Sequence, residues 1–164
     1  MTNQSSTAAT MSSASAAAQT VPPDAFLIQM AFGPLMAQAL YAAAKLGVAD
    51  LLAEKPQTVS ALAAATETDE RALYRVLRSL ASVGVFQESD PKVFSLTPEA
   101  ELLRSDVPGS LKNGIIFAGE EWHWRVWGNL LHSLKTGKSA WGQVHGVEVF
   151  DYFAANPEQA EIFN

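Results

Sequence analysis

The sequence predicts a mainly α fold built around a winged helix-turn-helix-like unit with a small β-hairpin wing. Three observations predict it. Between Lys45 and Ser82 three helical segments follow one another across short breaks. The third carries Leu73, Val76, Leu77 and Leu80, the i, i+3, i+4, i+7 spacing of a single buried helix face. Two β-type runs, Val85-Phe86-Gln87 and Val93-Phe94-Ser95-Leu96, then flank the turn-forming stretch Glu88-Ser89-Asp90-Pro91-Lys92.

Residues 1–21 hold no charged side chain and are dominated by Ser, Thr and Ala. So little apolar surface cannot offset the entropy of ordering, which predicts a disordered leader. A secretory signal needs a basic start and an apolar centre, and a transit peptide needs Arg; this segment has neither pattern. Pro22-Pro23 closes it, and Asp24 is the expected helix cap. Ala25 to Ala44 is uncharged over 20 residues, the length of a membrane span. Gln29, Gln38, the Gly33-Pro34 pair and the high Ala content argue instead for a helix that is apolar all round because it lies in a core or an interface. Gly33-Pro34 predicts a kink or split within it.

Lys45–Ala53 reads as a short helix with Gly47 at its joint, and Lys55-Pro56-Gln57 as a break. Thr58 caps a helix to about Ala65, with Val59 and Leu62 inward. Thr68 is the expected cap of the leucine-striped helix, with Asp69 and Glu70 in its first turn, where the positive helix end favours acids. Gly84 ends that helix. After the hairpin, Thr97-Pro98-Glu99 starts a helix ending near Arg104.

The last third is aromatic. Ser110 to Leu134 holds Phe117, Trp122, Trp124 and Trp127, and Trp127, Leu130, Leu131 and Leu134 fall on one helical face. Most of these aromatics are expected in a core. Lys135 to Gly146 reads as a connection, and Val147 to Tyr152 as apolar and mixed. Asn156-Pro157-Glu158 is a strong helix start, with Asn156 as the cap. Only seven residues follow Pro157, and no stop signal is among them, so the helix is expected to be cut rather than ended.

Composition narrows the chemistry. The chain has 164 residues and 48% apolar side chains, enough for a core. It has no cysteine, which excludes disulfides, thiolate metal sites and a cysteine nucleophile. Eleven basic against 17 acidic side chains give a net charge of −6, which weighs against nucleic-acid or anionic-membrane partners. Arg71, Arg75 and Arg78 nonetheless share one face of the third helix, as a recognition helix would place them. A stand-alone winged-helix DNA-binding regulator is therefore the alternative reading, opposed by an acidic wing (Glu88, Asp90). The ten glycines never occur at i, i+2, so there is no G-x-G loop. His123, His132 and His145 are not spaced as in a zinc helix. Glu120, Glu121 and His123 are near enough in sequence for an acid–base pair, but ordinary exposed acids at a helix start explain them as well. No catalytic, cofactor-binding or metal-ligating set is predicted.

From about Phe32 onward the chain resembles the N-terminal domain of the caffeic acid and acetylserotonin O-methyltransferase-like enzymes, most of all their bacterial, polyketide-tailoring branch. The resemblance rests on KLGVADLLAEKPQTVSALAAAT (45–66), RALYRVLRSLASVGVFQE (71–88), FSLTPEAELLRSDVPGSLK (94–112), GEEWHWRVWGNLLHSLKTGKSAW (119–141) and FDYFAANPEQAEIFN (150–164), in that order. It implies a helical, winged-helix-containing dimerisation domain over 22–155, forming a homodimer through its N-terminal helices. It implies that 156–164 start a linker helix to a methyltransferase domain that holds S-adenosylmethionine and the catalytic base, so this chain alone binds no cofactor and is not catalytic. Phe117, Trp122, Trp127 and Phe163 are the implied acceptor-pocket residues. The implied acceptor is a small aromatic or polyketide-like hydroxyl compound, the location cytoplasmic, and no nucleic acid or membrane partner is expected.

Overall fold

The computed structural model describes residues 21–163. The predicted leader lies outside the described residues except for Val21, which is exposed ahead of the first helix.

Helix α1 (Pro23–Lys45) starts two residues earlier than expected. Pro22 occupies the cap position, Pro23 the first turn, and Asp24 lies inside that turn rather than capping it. Proline is preset for this position, and an acid there suits the helix dipole. Gly33-Pro34 does not split α1, which runs unbroken for 23 residues with Pro34 inside. A proline removes one intrahelical bond and costs about 3 kcal/mol locally. Eleven helical residues on each side carry the helix through. Gly47, at φ 67°, turns the chain into α2 (Val48–Leu51).

Strand β1 (Gln57–Thr58) lies partly in the expected break. It pairs antiparallel with β3 (Val93–Leu96), matching Gln57 to Phe94 and Thr58 to Val93. Two residues carry no periodicity to read; the open edge of β3 creates the strand. Between them come α3 (Val59–Ala65), α4 (Glu70–Ser82) and β2 (Phe86–Asp90). The sheet order is β1-β3-β2. The hairpin loop shortens to Pro91-Lys92, with Lys92 at φ 65°, because β2 runs on to Asp90 through an irregularity at Glu88–Asp90.

Thr58 caps α3 as expected, accepting from the Ala61 N–H at 3.2 Å. The cap of α4 is Asp69 rather than Thr68: its carboxylate accepts from the Ala72 N–H at 2.8 Å, while the Thr68 hydroxyl pairs with that of Thr66 at 2.9 Å. A carboxylate gains from the helix dipole as well as from the bond. Asp69→Ala is expected to cost about 1 kcal/mol in urea unfolding. Thr68→Ala should cost less; the reverse order would put the cap back at Thr68.

Thr97 caps α5 (Pro98–Glu101) through the Ala100 N–H, and its hydroxyl donates to the Val85 carbonyl at 2.6 Å. The helix stops at Glu101, short of Arg104, whose guanidinium bonds Glu101 and Asp106. Six more helices follow: α6 (Lys112–Gly119), α7 (Glu121–Gly128), α8 (Leu130–Thr136), α9 (Ala140–His145), α10 (Val149–Ala155) and α11 (Pro157–Phe163). Two were not legible: α9 sits in the expected connection, capped by Ser139, and α10 in the mixed segment. The single face expected for Trp127, Leu130, Leu131 and Leu134 is interrupted at Gly128-Asn129, where the Asn129 side chain takes the Arg125 carbonyl. Glycine and asparagine both favour leaving the helix. Asn156 starts α11, but its amide donates to the Tyr152 carbonyl and so closes α10 instead of capping the next helix.

The described residues thus form a mainly helical fold with a three-stranded antiparallel sheet. Two hydrophobic clusters hold it. The larger joins α1 to α5 and the sheet around Val48, Val59, Leu62, Leu77, Leu80, Phe86 and Phe94. The smaller gathers Trp122, Trp141 and Phe153 from α7, α9 and α10.

Candidate functional site

Helix α1 divides along its length. Its C-terminal half sits on the larger core through Met36, Ala39, Leu40 and the buried Ala43. Its N-terminal half lays Phe26, Leu27, Ile28, Met30, Phe32 and Leu35 open to solvent, with Leu27 66% exposed. By length and composition α1 could also span a membrane. A contiguous apolar surface of this kind is characteristic of an interaction site.

The buried half of α1 is fixed to α6 at a close crossing. A Cβ on Gly119 would stand 2.3 Å from Tyr41 Cβ, so only glycine fits. The Gln38 amide donates to the Gly119 carbonyl at 2.9 Å, and Lys45 pairs with Glu120. Burial, reinforced by the Glu120 carboxylate, raises the Tyr41 phenol above its usual range. The hydrogen bond to Glu120 raises Lys45. On the far side, burial pushes the Asp50 carboxyl up, but bonds from the Lys112 ammonium and from the Ser105 N–H and hydroxyl outweigh it and hold Asp50 below the usual range. That contact ties the loop after α5, and α6, to α2.

The aromatic site sits where α6, α7 and α11 meet. Of the four expected pocket residues, three come together: Phe117 lies 5.3 Å from Trp122 and 5.5 Å from Phe163, ring centre to ring centre. Trp122 is buried edge-on against Trp141 and Phe153, so it supports the site from below. Trp127 does not touch this group directly. It is 60% exposed and reaches it through His123, whose ring lies 4.5 Å from Phe117. Phe163 is half exposed and stacks on Phe153 at 5.0 Å. The result is an open aromatic ledge running Phe163, Phe117, His123, Trp127. The indole N–H groups of Trp122, Trp124 and Trp141 are buried without an acceptor among the described residues.

Glu120, Glu121 and His123 do not converge as an acid–base set. Glu120 faces Lys45, Glu121 lies 3.6 Å from Arg125, and His123 bonds a carbonyl and an indole. Sequence reasoning named His123 for chemistry and missed its place in the ledge; the signal was its i, i+4 spacing to Trp127. Arg71, Arg75 and Arg78 are exposed on α4, and none forms an ion pair among the described residues. No group of three or more His, Asp or Glu side chains placed to hold a metal occurs among the described residues.

Comparison with known proteins identifies this arrangement. The family model of the O-methyltransferase dimerisation domain matches residues 28–106. The chain is 44% identical over 144 residues to a phenazine O-methyltransferase, PhzM, of Lysobacter antibioticus, covering 88% of this chain and 42% of that protein. The crystal structure of LaPhzM superposes with a TM-score of 0.84 at 44% identity, over 87% of this chain and 43% of that one. CalO1, a methyltransferase in calicheamicin biosynthesis solved in its SAH-bound form, gives 0.74 at 38% identity over 84% and 41%. The chain thus spans about two fifths of the length of the relatives it matches. These relatives are methyltransferases rather than DNA-binding regulators, which sets aside the regulator reading of the arginine face. Residues 28–106 thus match the O-methyltransferase dimerisation-domain family.

Proposed function

We propose that residues 22–155 form the homodimerisation and acceptor-pocket domain of a cytoplasmic S-adenosylmethionine-dependent O-methyltransferase, with 156–164 beginning the helix toward its catalytic domain. The observation that carries the reading is the solvent-facing apolar half of α1 in a domain of the dimerisation family. A second copy is the natural occupant: α1 is apolar around its circumference, its other half is already docked on the core, and the matched domain begins within it, at residue 28. In this reading α2 to α4 and the β2–β3 hairpin are a winged helix-turn-helix used as scaffold, and Arg71, Arg75 and Arg78 are a solvated face.

The acceptor is a planar aromatic hydroxyl compound, as the name of the Lysobacter relative suggests, and the aromatic ledge is its wall. S-adenosylmethionine supplies the methyl group when bound to the whole enzyme. The residues of this chain contribute apolar surface: Phe117 and Phe163 cover an aromatic face and exclude water, Trp122 holds them in place, and Trp127 extends the wall.

Sedimentation equilibrium tests the dimer. The wild-type chain is expected to be dimeric at micromolar concentration. Leu27→Glu with Leu35→Glu should raise the dimer Kd by roughly 1,000-fold or more, since each buried, unpaired carboxylate costs several kcal/mol. A wild-type chain that stays monomeric, or that sediments only with added lipid vesicles, would overturn the reading.

A further inference from the structure

His123 sits at the centre of the ledge with both ring nitrogens engaged. Nε2 lies 3.0 Å from Trp127 Nε1, and Nδ1 lies 3.2 Å from the Ala118 carbonyl oxygen. An indole N–H only donates, so Nε2 must be the bare, accepting nitrogen. A carbonyl only accepts, so Nδ1 must carry the proton. The two partners, one from α7 and one from α6, select the same neutral tautomer. A proton added at Nε2 would place two donors face to face.

We infer that His123 is a positioning residue of the aromatic ledge: its Nδ1–H tautomer holds Trp127 in place by accepting its indole proton, and protonation at Nε2 releases Trp127. Trp127 depends on this bond because most of its surface is in water and the helix ends one residue later, at Gly128. The ring of His123 is otherwise framed by Phe117 on α6 and Trp122 on its own helix. The charged groups around it are engaged elsewhere or face solvent. Glu120 pairs with Lys45, Glu121 with Arg125 and Lys112 with Asp50, and Glu158 and Glu161 of α11 are exposed. His145 is a built-in contrast. Its Nε2 meets the Trp122 carbonyl at 3.0 Å, so that nitrogen donates and the bond survives protonation. The ledge's use as an acceptor wall rests on the function proposed above; the tautomer and the bond do not.

The test is ¹H–¹⁵N NMR on the full chain, with the Trp127 indole signal assigned by its loss in Trp127→Phe. At pH 8, long-range correlations should show His123 protonated at Nδ1 and bare at Nε2. On acidification the Trp127 indole signal should move together with the His123 ring signals. In His123→Gln the amide oxygen still accepts from the indole but cannot titrate, so the Trp127 signal should stay fixed. An Nε2–H tautomer at pH 8, or the same Trp127 shift in His123→Gln as in wild type, overturns the inference. A hydroxyphenazine added at pH 8 separates the two readings. Perturbation of the Trp127 signal supports the acceptor wall. No perturbation, with the coupled titration intact, rejects the wall and still supports the positioning role.

Discussion

Gly119→Ala is expected to destabilise the chain by about 3 kcal/mol, although it adds one methyl group. The methyl would overlap Tyr41 at 2.3 Å, and the atom it meets is Cβ, which rotamer change cannot move away. The helices must separate instead, and overpacking that shifts backbone costs about 1–3 kcal/mol or more. Separation also strains the Gln38 bond to the Gly119 carbonyl and the Lys45–Glu120 pair, both of which span the same crossing. Thermal unfolding should show the melting temperature reduced by roughly 10 °C. Gly114→Ala, on the same helix, is the control. A Cβ there meets nothing within 4 Å, so it should add about 0.5–1 kcal/mol of stability through helix propensity. Equal effects at the two glycines would refute the close crossing.

Phe94→Ala is expected to cost about 3–5 kcal/mol, enough to leave a domain of this size marginal or unfolded at 37 °C. Phe94 is 0% exposed, lies on the central strand, pairs with Gln57 and Glu88 on either side and meets Tyr74 edge-on at 6.1 Å. Its removal opens a cavity that no neighbour can collapse into, because the strands on both flanks hold β3 in register. Leu134→Ala, at a position 72% exposed, should change stability by less than about 0.5 kcal/mol in the same urea titration. A small loss at Phe94 would mean that the sheet is not part of the folding core.

The elements legible in the sequence are those with strong local signals. The leucine stripe of α4 was legible because a 13-residue helix with Leu73, Leu77 and Leu80 buried has a strong period. The hairpin was legible from its turn residues. The β1 strand was not, because pairing across the chain made it. Helix α9 was hidden inside a glycine-containing stretch, although Ser139 and Gly146 mark its two ends. For the candidate site, the family resemblance named Phe117, Trp122, Trp127 and Phe163; the structure brings Phe117, Trp122 and Phe163 together and leaves Trp127 outside the group. Burial could not be read from type alone: Trp122 went inward and Trp127 outward, according to which side of α7 each occupies. Gly119 was unremarkable in the sequence, since its importance lies in what faces it from α1.

Helix α6 has a position that bears on how the domain holds together as one cooperative unit. Ile115 packs on the larger cluster and Phe117 on the smaller, two residues apart and so on opposite sides of the same two turns. The two clusters share no buried residue. An eight-residue helix therefore acts as the spindle between a scaffold half and a ledge half. The seat of α1 and the aromatic ledge therefore share one short helix: Gly119 meets Tyr41 of α1 at its end, and Phe117, two residues before, packs into the smaller cluster.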